Sequence, residues 1–435
     1  MKHLFYFAEK KNILNRGDFM VIHTVAPGET VYSIARQYNV PPNLIALNNG
    51  ITGSPVVGDD LVILFPEQVH TVQPGESLTE IAVQYNIPLR QLYRNNYYLK
   101  GNPAIYPGQT LVIAYRDSGK REILTNGYAY PYVSESVLKT ALPYVDYLSP
   151  FTYGMTFSGN LIPPDDARML YEAYTLGTNG ALHLSTLDST DRFDIALATN
   201  IFNNYTARET LLREIAETMR QKGLRLIDVD FEYLNAGDAS GYADFVAELK
   251  SLGYPVIVAA APKTSREQKG QLYEGHDYAL LANAADYLFV MTYEWGYTYG
   301  PPLAVAPLPN VRRVLEFALT ETSADKILMG IPNYGYDFSL PYVSGASRAT
   351  SIGNRRAIDI ARQHGAEIQF DQTAMAPFFN YRDMSGTLHE VWFENARSVY
   401  AKFMLLNELK LAGAGYWNLM REFPQLWLLQ NALFY

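Results

Sequence analysis

The sequence predicts a (β/α)8 barrel with a small α+β insertion before its last strand, preceded by two small βααβ modules. Three observations carry this reading. A short pattern occurs twice near the N-terminus, in "VIHTVAPGETVYSIARQYNVPPNLIALNN" from Val21 and "QVHTVQPGESLTEIAVQYNIPLRQLYRNN" from Gln68. From about Glu122 onward, apolar strand-like runs alternate with amphipathic helices. One of those runs, "RLIDVDFEYL" at 225–234, carries three acids two apart: Asp228, Asp230 and Glu232. A chain of 435 residues has room for about three domains.

Each module reads strand, helix, helix, strand. "HTV" is short and β-prone. "PGET" and "PGES" are turns, and Thr30 or Ser77 can cap the helix that follows. "PPNLIALNN" places Pro in the first turn of a second helix and Asn at its end. "LVIL" and "LVIA" return as strands. The expected boundaries are 21–66 and 67–115, with three extra residues in one loop of the second copy. Residues 1–20 are left as an N-terminal extension. Its run Leu4 to Ala8 is shorter than the apolar core of a secretory signal, so no signal peptide is recognisable. "NRGD" is compatible with a translated ribosome-binding region, which leaves open whether residues 1–19 are native.

The large domain is expected over 120–435. Its strands fall at 123–130, 145–153, 180–187, 225–234, 255–263, 287–295, 327–338 and 413–420. The helix "TARETLLREIAETMRQKG" shows a capping box from Thr206 to Glu209 and a Gly223 stop. Two further helices are "YADFVAELKSLG" and "VRRVLEFALTET". Eight strands with helices between them fit a barrel in about 310 residues. The seventh connection is too long for one helix and has strand and turn character, so the insertion is placed at about 340–395. A doubly wound open sheet is the alternative, but no Gly-rich phosphate loop accompanies it. The junction "AYRDSGKREIL" is short and polar, so limited flexibility is expected there.

Side chains alternate faces along a strand, so the three acids point one way. In a barrel that face looks inward, and its C-terminal end opens on the active site. Crowded carboxylates raise one another's pKa, and a proton kept on Glu232 near neutral pH is what a general acid needs. A solvated face on an edge strand is the competing account. The apolar flank Leu226, Ile227, Val229, Phe231 and Leu234 argues against it.

Composition narrows the function. The net charge of −9 disfavours nucleic acid as a partner. No run reaches the roughly 20 apolar residues of a membrane helix. There is no cysteine, so thiol catalysis, disulfides and Cys-ligated metals are excluded. The seven His residues share no ligand spacing, and no metal or other cofactor is expected. His23 and His70 fall at matched repeat positions and read as module structure. The 34 Tyr residues suit flat, hydroxylated ligands, or simply fill the core.

The repeated pattern resembles the LysM (lysin motif) module, with its turn, its "YN(V/I)P" join and its "NN…G(D/Q)xL" close. The resemblance implies binding of glycans that contain N-acetylglucosamine, such as peptidoglycan or chitin. It places Gly28, Thr30 and Ile51, and Gly75, Ser77 and Tyr97, at the glycan. For any single one of those residues, turn geometry alone accounts for its presence somewhat better. The large domain resembles family-18 glycoside hydrolases: "RLIDVDFE" is similar to the signature DxxDxDxE, and "MTYEW", "GIPNYGYDF" and "GAGYWNL" follow in the family's order. One position departs from the signature, because Arg225 stands where its first Asp belongs. The pairing of modules and barrel resembles the spore-cortex-lytic glucosaminidases of spore-forming bacteria.

That likeness implies substrate-assisted, retaining hydrolysis. It assigns proton donation to Glu232, the acetamido N–H to Asp230, tuning of Asp230 to Asp228, and orientation of the acetamido oxygen to Tyr293. It places Trp417 beneath the sugar ring, with Glu294, Tyr128 and Tyr334 as further sugar contacts. The implied reaction is cleavage of β-1,4 linkages after N-acetylglucosamine in peptidoglycan, by a monomer acting outside the cytoplasm, at spore coat, cortex or cell wall. Chitinase action and a non-catalytic, lectin-like barrel are the alternatives, and the presence of Glu232 counts against the second.

Overall fold

A computed structural model describes residues 19–116, 119–187 and 192–435. The N-terminal extension before Phe19 lies outside them. Each repeat closes a two-stranded antiparallel sheet: Met20–Thr24 pairs with Asp60–Leu64, and Pro66–Thr71 with Thr110–Tyr115. Thr30 and Ser77 do cap the first helix of each copy, in capping boxes with Ser33 and Glu80. The matched histidines repeat one local network. His23 Nδ1 meets the Tyr38 hydroxyl at 3.0 Å and its Nε2 meets Glu29 at 2.8 Å; His70 makes the same contacts with Tyr85 at 3.1 Å and Glu76 at 2.7 Å. The three extra residues of the second copy lie in a loop that holds a short 3-10 turn, Tyr97–Leu99.

Eight parallel strands then close into a barrel: Leu124–Ala129, Tyr147–Pro150, Asn179–Ser185, Leu226–Asp230, Val256–Ala260, Tyr287–Val290, Ile327–Pro332 and Gly413–Trp417. The eighth pairs with the first, which leaves no open edge and rules out the doubly wound sheet. Apolar side chains on the outward face, such as Ile227 and Val229, are fully buried under the surrounding helices.

Two sequence expectations need correction. The helix Tyr205–Lys222 starts earlier than expected, because its cap is Asn204, two residues before Thr206. The extended backbone of Asn204 lets its side chain accept from the Ala207 N–H, and Thr206 is already inside the helix. Gly223 closes it in the left-handed conformation, as expected. The run 327–338 is not one strand. It breaks after Pro332, and Gly335–Leu340 joins a five-stranded antiparallel sheet with Thr350–Ile352, Gln369–Asp371, Ala376–Arg382 and Leu388–Trp392. The cause is local. Asn333 is pulled to the eighth strand, its N–H donating to Trp417 O at 2.8 Å and its side chain to Asn418 and Arg421 carbonyls. A Cβ at Gly335 would lie 2.2 Å from the Trp392 carbonyl oxygen, so the turn into the insertion needs glycine.

The modules are built into the barrel rather than hung from it. Leu78, Ile81, Leu92 and Tyr97 of the second copy share one hydrophobic core with barrel residues such as Leu142 and Leu429. Arg90 donates to the carbonyls of Pro143 and Val145 at 2.7 Å each, and the Tyr144 hydroxyl donates to Arg94 O at 2.9 Å. In the first copy, Asp60 is fully buried and meets Arg397 of the barrel at 2.7 Å, with Asn395 alongside. Lys100 and Arg355 both reach Glu422, at 2.7 and 3.1 Å.

Candidate active site

The fourth barrel strand ends at Asp230, so Asp228 and Asp230 sit on it and Glu232 lies just beyond, at the C-terminal mouth. Asp228 is the deepest and fully buried. Its Oδ2 accepts from Asn126 Nδ2 at 3.0 Å, and the Ser149 hydroxyl lies 2.9 Å away. The ring of His183 stands between the two aspartates, with Nδ1 3.2 Å from Asp228 and Nε2 3.9 Å from Asp230. Asn126, Ser149 and His183 come from the first three barrel strands. Among the described residues, one oxygen of each aspartate, Asp228 Oδ1 and Asp230 Oδ1, is buried without a hydrogen-bond partner. Buried polar atoms are rarely left so, and a shared proton or a ligand N–H would satisfy them.

Asp230 holds its proton well above the usual carboxylate range. Burial is the main cause, the Glu232 charge adds to it, and His183 opposes it. Glu232 is pushed up to about 7, by burial first and then by the Glu294 carboxylate. Its backbone is pinned. His276 is fully buried and neutral, its pKa lowered by burial to about 4. Its Nδ1 accepts from the Ala261 N–H at 2.8 Å, so Nε2 carries the proton and donates to the Phe231 carbonyl at 2.8 Å. Tyr233, next after Glu232, has φ of 59°. For a residue other than glycine that costs about 1–2 kcal/mol.

Tyr293 and Glu294 follow the sixth strand. Glu294 also has positive φ, 68°. Left-handed residues thus flank both Glu232 and Tyr293, the kind of local strain that gathers at working sites. Gly330 of the neighbouring strand makes room for the tyrosine: a Cβ there would lie 2.8 Å from the Tyr293 ring. Glu294 accepts hydrogen bonds from Tyr334 and, at 3.1 Å, from Tyr336.

Asp230, Glu232, Tyr293, Glu294 and Trp417 line one pocket of about 800 Å3. Trp417, at the end of the eighth strand, meets Phe151 edge-on at 5.0 Å between centroids and Tyr130 at 6.2 Å. Together they form an aromatic wall. Tyr128 and Tyr334 are placed differently from the expectation of direct sugar contact. Tyr128 is 2% exposed and lies behind the pocket, stacked on Phe289 and 5.8 Å from Trp417. Tyr334 is 6% exposed and spends its hydroxyl on Glu294. Arg225 is exposed at the opposite end of its strand, so the departure from the signature does not reach the pocket.

Sequence reading missed Asn126, Ser149, His183, His276 and Tyr336. A signal existed for His183. Period-two alternation in "GALHLSTL" puts His183 and Ser185 on one face of a strand whose neighbours are apolar. His276 had no signal, because it reaches the site from a loop far along the chain.

On the modules, the Gly28 and Gly75 turns are exposed and take φ of 82° and 89°. Thr30 and Ser77 are exposed but act as helix caps. Ile51 is half-buried beside a small crevice formed with Arg355 and Arg362 of the insertion helix Asn354–His364. Tyr97 needs correction as a glycan contact. It is 2% exposed, with its ring 6.4 Å from Tyr144 of the barrel, because the barrel covers that loop. Among the described residues no cluster of three His, Asp or Glu could hold a metal ion. No helix in them is long and apolar enough to cross a membrane.

Comparison with known proteins gives concordant matches. Residues 185–422 match the model of glycosyl hydrolases family 18, and residues 23–63 and 70–114 each match the LysM domain. The chain is 42% identical to the cortical fragment-lytic enzyme of Bacillus subtilis (strain 168) over 325 residues, covering 72% of this chain and 75% of that protein. It is 34% identical to the cortical fragment-lytic enzyme of Bacillus anthracis, covering 94% of this chain and 97% of that one. The crystal structure of the Bacillus megaterium QM B1551 spore cortex-lytic enzyme SleL superposes with a TM-score of 0.81 at 34% identity, over 96% of this chain and 99% of that chain.

Proposed function

Since the chain belongs to glycosyl hydrolase family 18 and carries two LysM modules ahead of its barrel, we propose that this glycosidase cuts spore-cortex peptidoglycan on the reducing side of N-acetylglucosamine. The cortex-lytic relatives, matched along nearly the whole chain, support the substrate. The site supports the chemistry. One observation carries it: a carboxyl group at a pocket mouth, Glu232, that keeps its proton to about pH 7 beside a second, more deeply buried acid.

In this reading Glu232 gives its proton to the glycosidic oxygen as the bond breaks. The oxygen of the sugar's own 2-acetamido group attacks the anomeric carbon from the other face and forms an oxazolinium ion. Asp230 passes its proton towards Asp228 and takes the acetamido N–H on Oδ1, so that the carboxylate formed offsets the positive charge. Asp228, held by Asn126 and Ser149, and His183 set how tightly Asp230 keeps its proton. The Tyr293 hydroxyl donates to the acetamido oxygen and aims it. Water then opens the ring, giving its proton back to Glu232. Trp417 stacks beneath the sugar in the cleavage position. Tyr128 and Tyr334 act from behind, by backing Trp417 and by holding Glu294. The LysM turns at Gly28 and Gly75 hold the same polymer, and the enzyme works outside the cytoplasm, at the cortex.

Digestion of cortex, vegetative peptidoglycan and chitin in parallel, with mass analysis of the ends, tests this. Cortex products should end in reducing N-acetylglucosamine, and Glu232→Gln should cost at least about 10²-fold in rate. Near-normal cleavage by that variant, or reducing muramic ends, would refute the assignment.

A further inference from the structure

The pocket has two unlike halves. Trp417, at the end of the eighth strand, and Tyr130 and Phe151, just past the ends of the first and second, give the aromatic wall. The other side comes from the segments after the fifth and sixth strands, where Thr264, Ser265, Gln268, Asn310 and Arg313 reach the cavity. Arg313 is the one cation among the described lining residues. It lies on the helix Leu308–Glu321, one turn beyond Asn310, whose Oδ1 accepts from it at 2.8 Å.

Its neighbour shows what is unusual here. Arg312 is matched by two acids: Glu408 on Nη1 and Nη2 at 2.8 and 2.7 Å, and Glu316 at 3.5 Å. Arg313 has no carboxylate partner among the described residues, and a single amide oxygen leaves most of its five N–H donors free. A planar, exposed guanidinium steadied by one neighbour, with hydroxyl and amide groups lining the same pocket, matches a carboxylate.

We infer that this polar half is a subsite for a carboxylate on the leaving saccharide, with Arg313 as its specificity-determining residue. The inference rests on the proposed glycosidase reading. Glu232 protonates the departing oxygen, and the aromatic wall holds the sugar being cut, so the leaving muramic sugar extends across the polar half. A muramic sugar carries a 3-O-lactyl group. Its carboxylate is free when the peptide has been removed, replaced by peptide carboxylates when the stem remains, and lost when a lactam ring closes. The subsite therefore separates acid-bearing from lactam-bearing positions.

The test uses the full chain and the variants R313Q and R313K. Three soluble fragments differ only in the muramic sugar after the cleaved bond: free lactyl acid, peptide-bearing, or lactam. The readout is the ratio of kcat/KM for each acidic fragment over the lactam, within one preparation, so any loss of folded protein cancels. The wild type should favour an acidic fragment. R313Q should lower that ratio by about tenfold, through KM, and R313K should retain part of it. Which acidic arm responds assigns the lactyl or the peptide carboxylate. An equal ratio in wild type and R313Q, with the wild type active, overturns the subsite alone. A wild type that cleaves none of the fragments overturns the glycosidase reading, and the subsite with it.

Discussion

Replacing Glu294 by Gln should move the alkaline limb of the pH–rate profile downward. Glu232 is raised from an ordinary 4.5 to about 7, by burial first and by the Glu294 carboxylate second. A proton donor works only while protonated, so kcat/KM should fall as pH rises through about 7. The whole rise amounts to about 2.5 pH units. E294Q removes the like charge and leaves the burial. Burial is the larger cause, so the limb should drop by less than half of that, about one pH unit at most. The amide oxygen of Gln can still accept from Tyr334 and Tyr336, which keeps the local geometry. The assay is kcat/KM on a soluble cortex fragment from pH 5 to 9 in both proteins, since that parameter reports the free enzyme. A limb that stays put, or moves to higher pH, would show that Glu294 does not act on Glu232 through charge.

Three more outcomes are expected. Gly330→Ala brings a Cβ to 2.8 Å from both the Tyr293 ring and the Val290 carbonyl oxygen; it should destabilise by about 1–3 kcal/mol in chemical denaturation and lower kcat more than KM, by about tenfold. Asp59 is buried at the module–barrel junction with its pKa raised to about 7, by burial and then by Asp60. The folded state therefore holds that proton more tightly than the unfolded chain, and wild-type stability is lost as pH rises from about 4 to about 7. Asp59→Asn should add on the order of 2–4 kcal/mol at pH 8 and nothing below about pH 4, as read from denaturant midpoints. Arg397→Met strands the buried Asp60 carboxylate and should cost about 3–5 kcal/mol, seen as a lower Tm and faster proteolysis of the first module.

How much of this was legible in the sequence follows from what kind of order each residue obeys. Asp228, Asp230 and Glu232 stand out because a strand has period two and apolar neighbours frame them. The barrel shows because its strands recur along the chain. The partners of Asp228 are different. Asn126, Ser149 and His183 sit in three other strands and meet it only when the sheet closes. Tyr97 was misplaced for a related reason: an internal repeat marks a loop position but not what later packs on it. Asn204 displaced Thr206 as a helix cap because backbone direction at the entry, absent from a residue pattern, decides which oxygen meets the free N–H groups.

The shared core of module and barrel removes any tether. On the proposed reading, polymer gripped at the Gly28 and Gly75 turns would be held at a set reach and angle from the Glu232 carboxyl. A flexible leash would let one anchor graze many nearby bonds, whereas a fixed arm works as a ruler. Each grip would then present one stretch of strand, and the next cut would require the whole molecule to let go and land again.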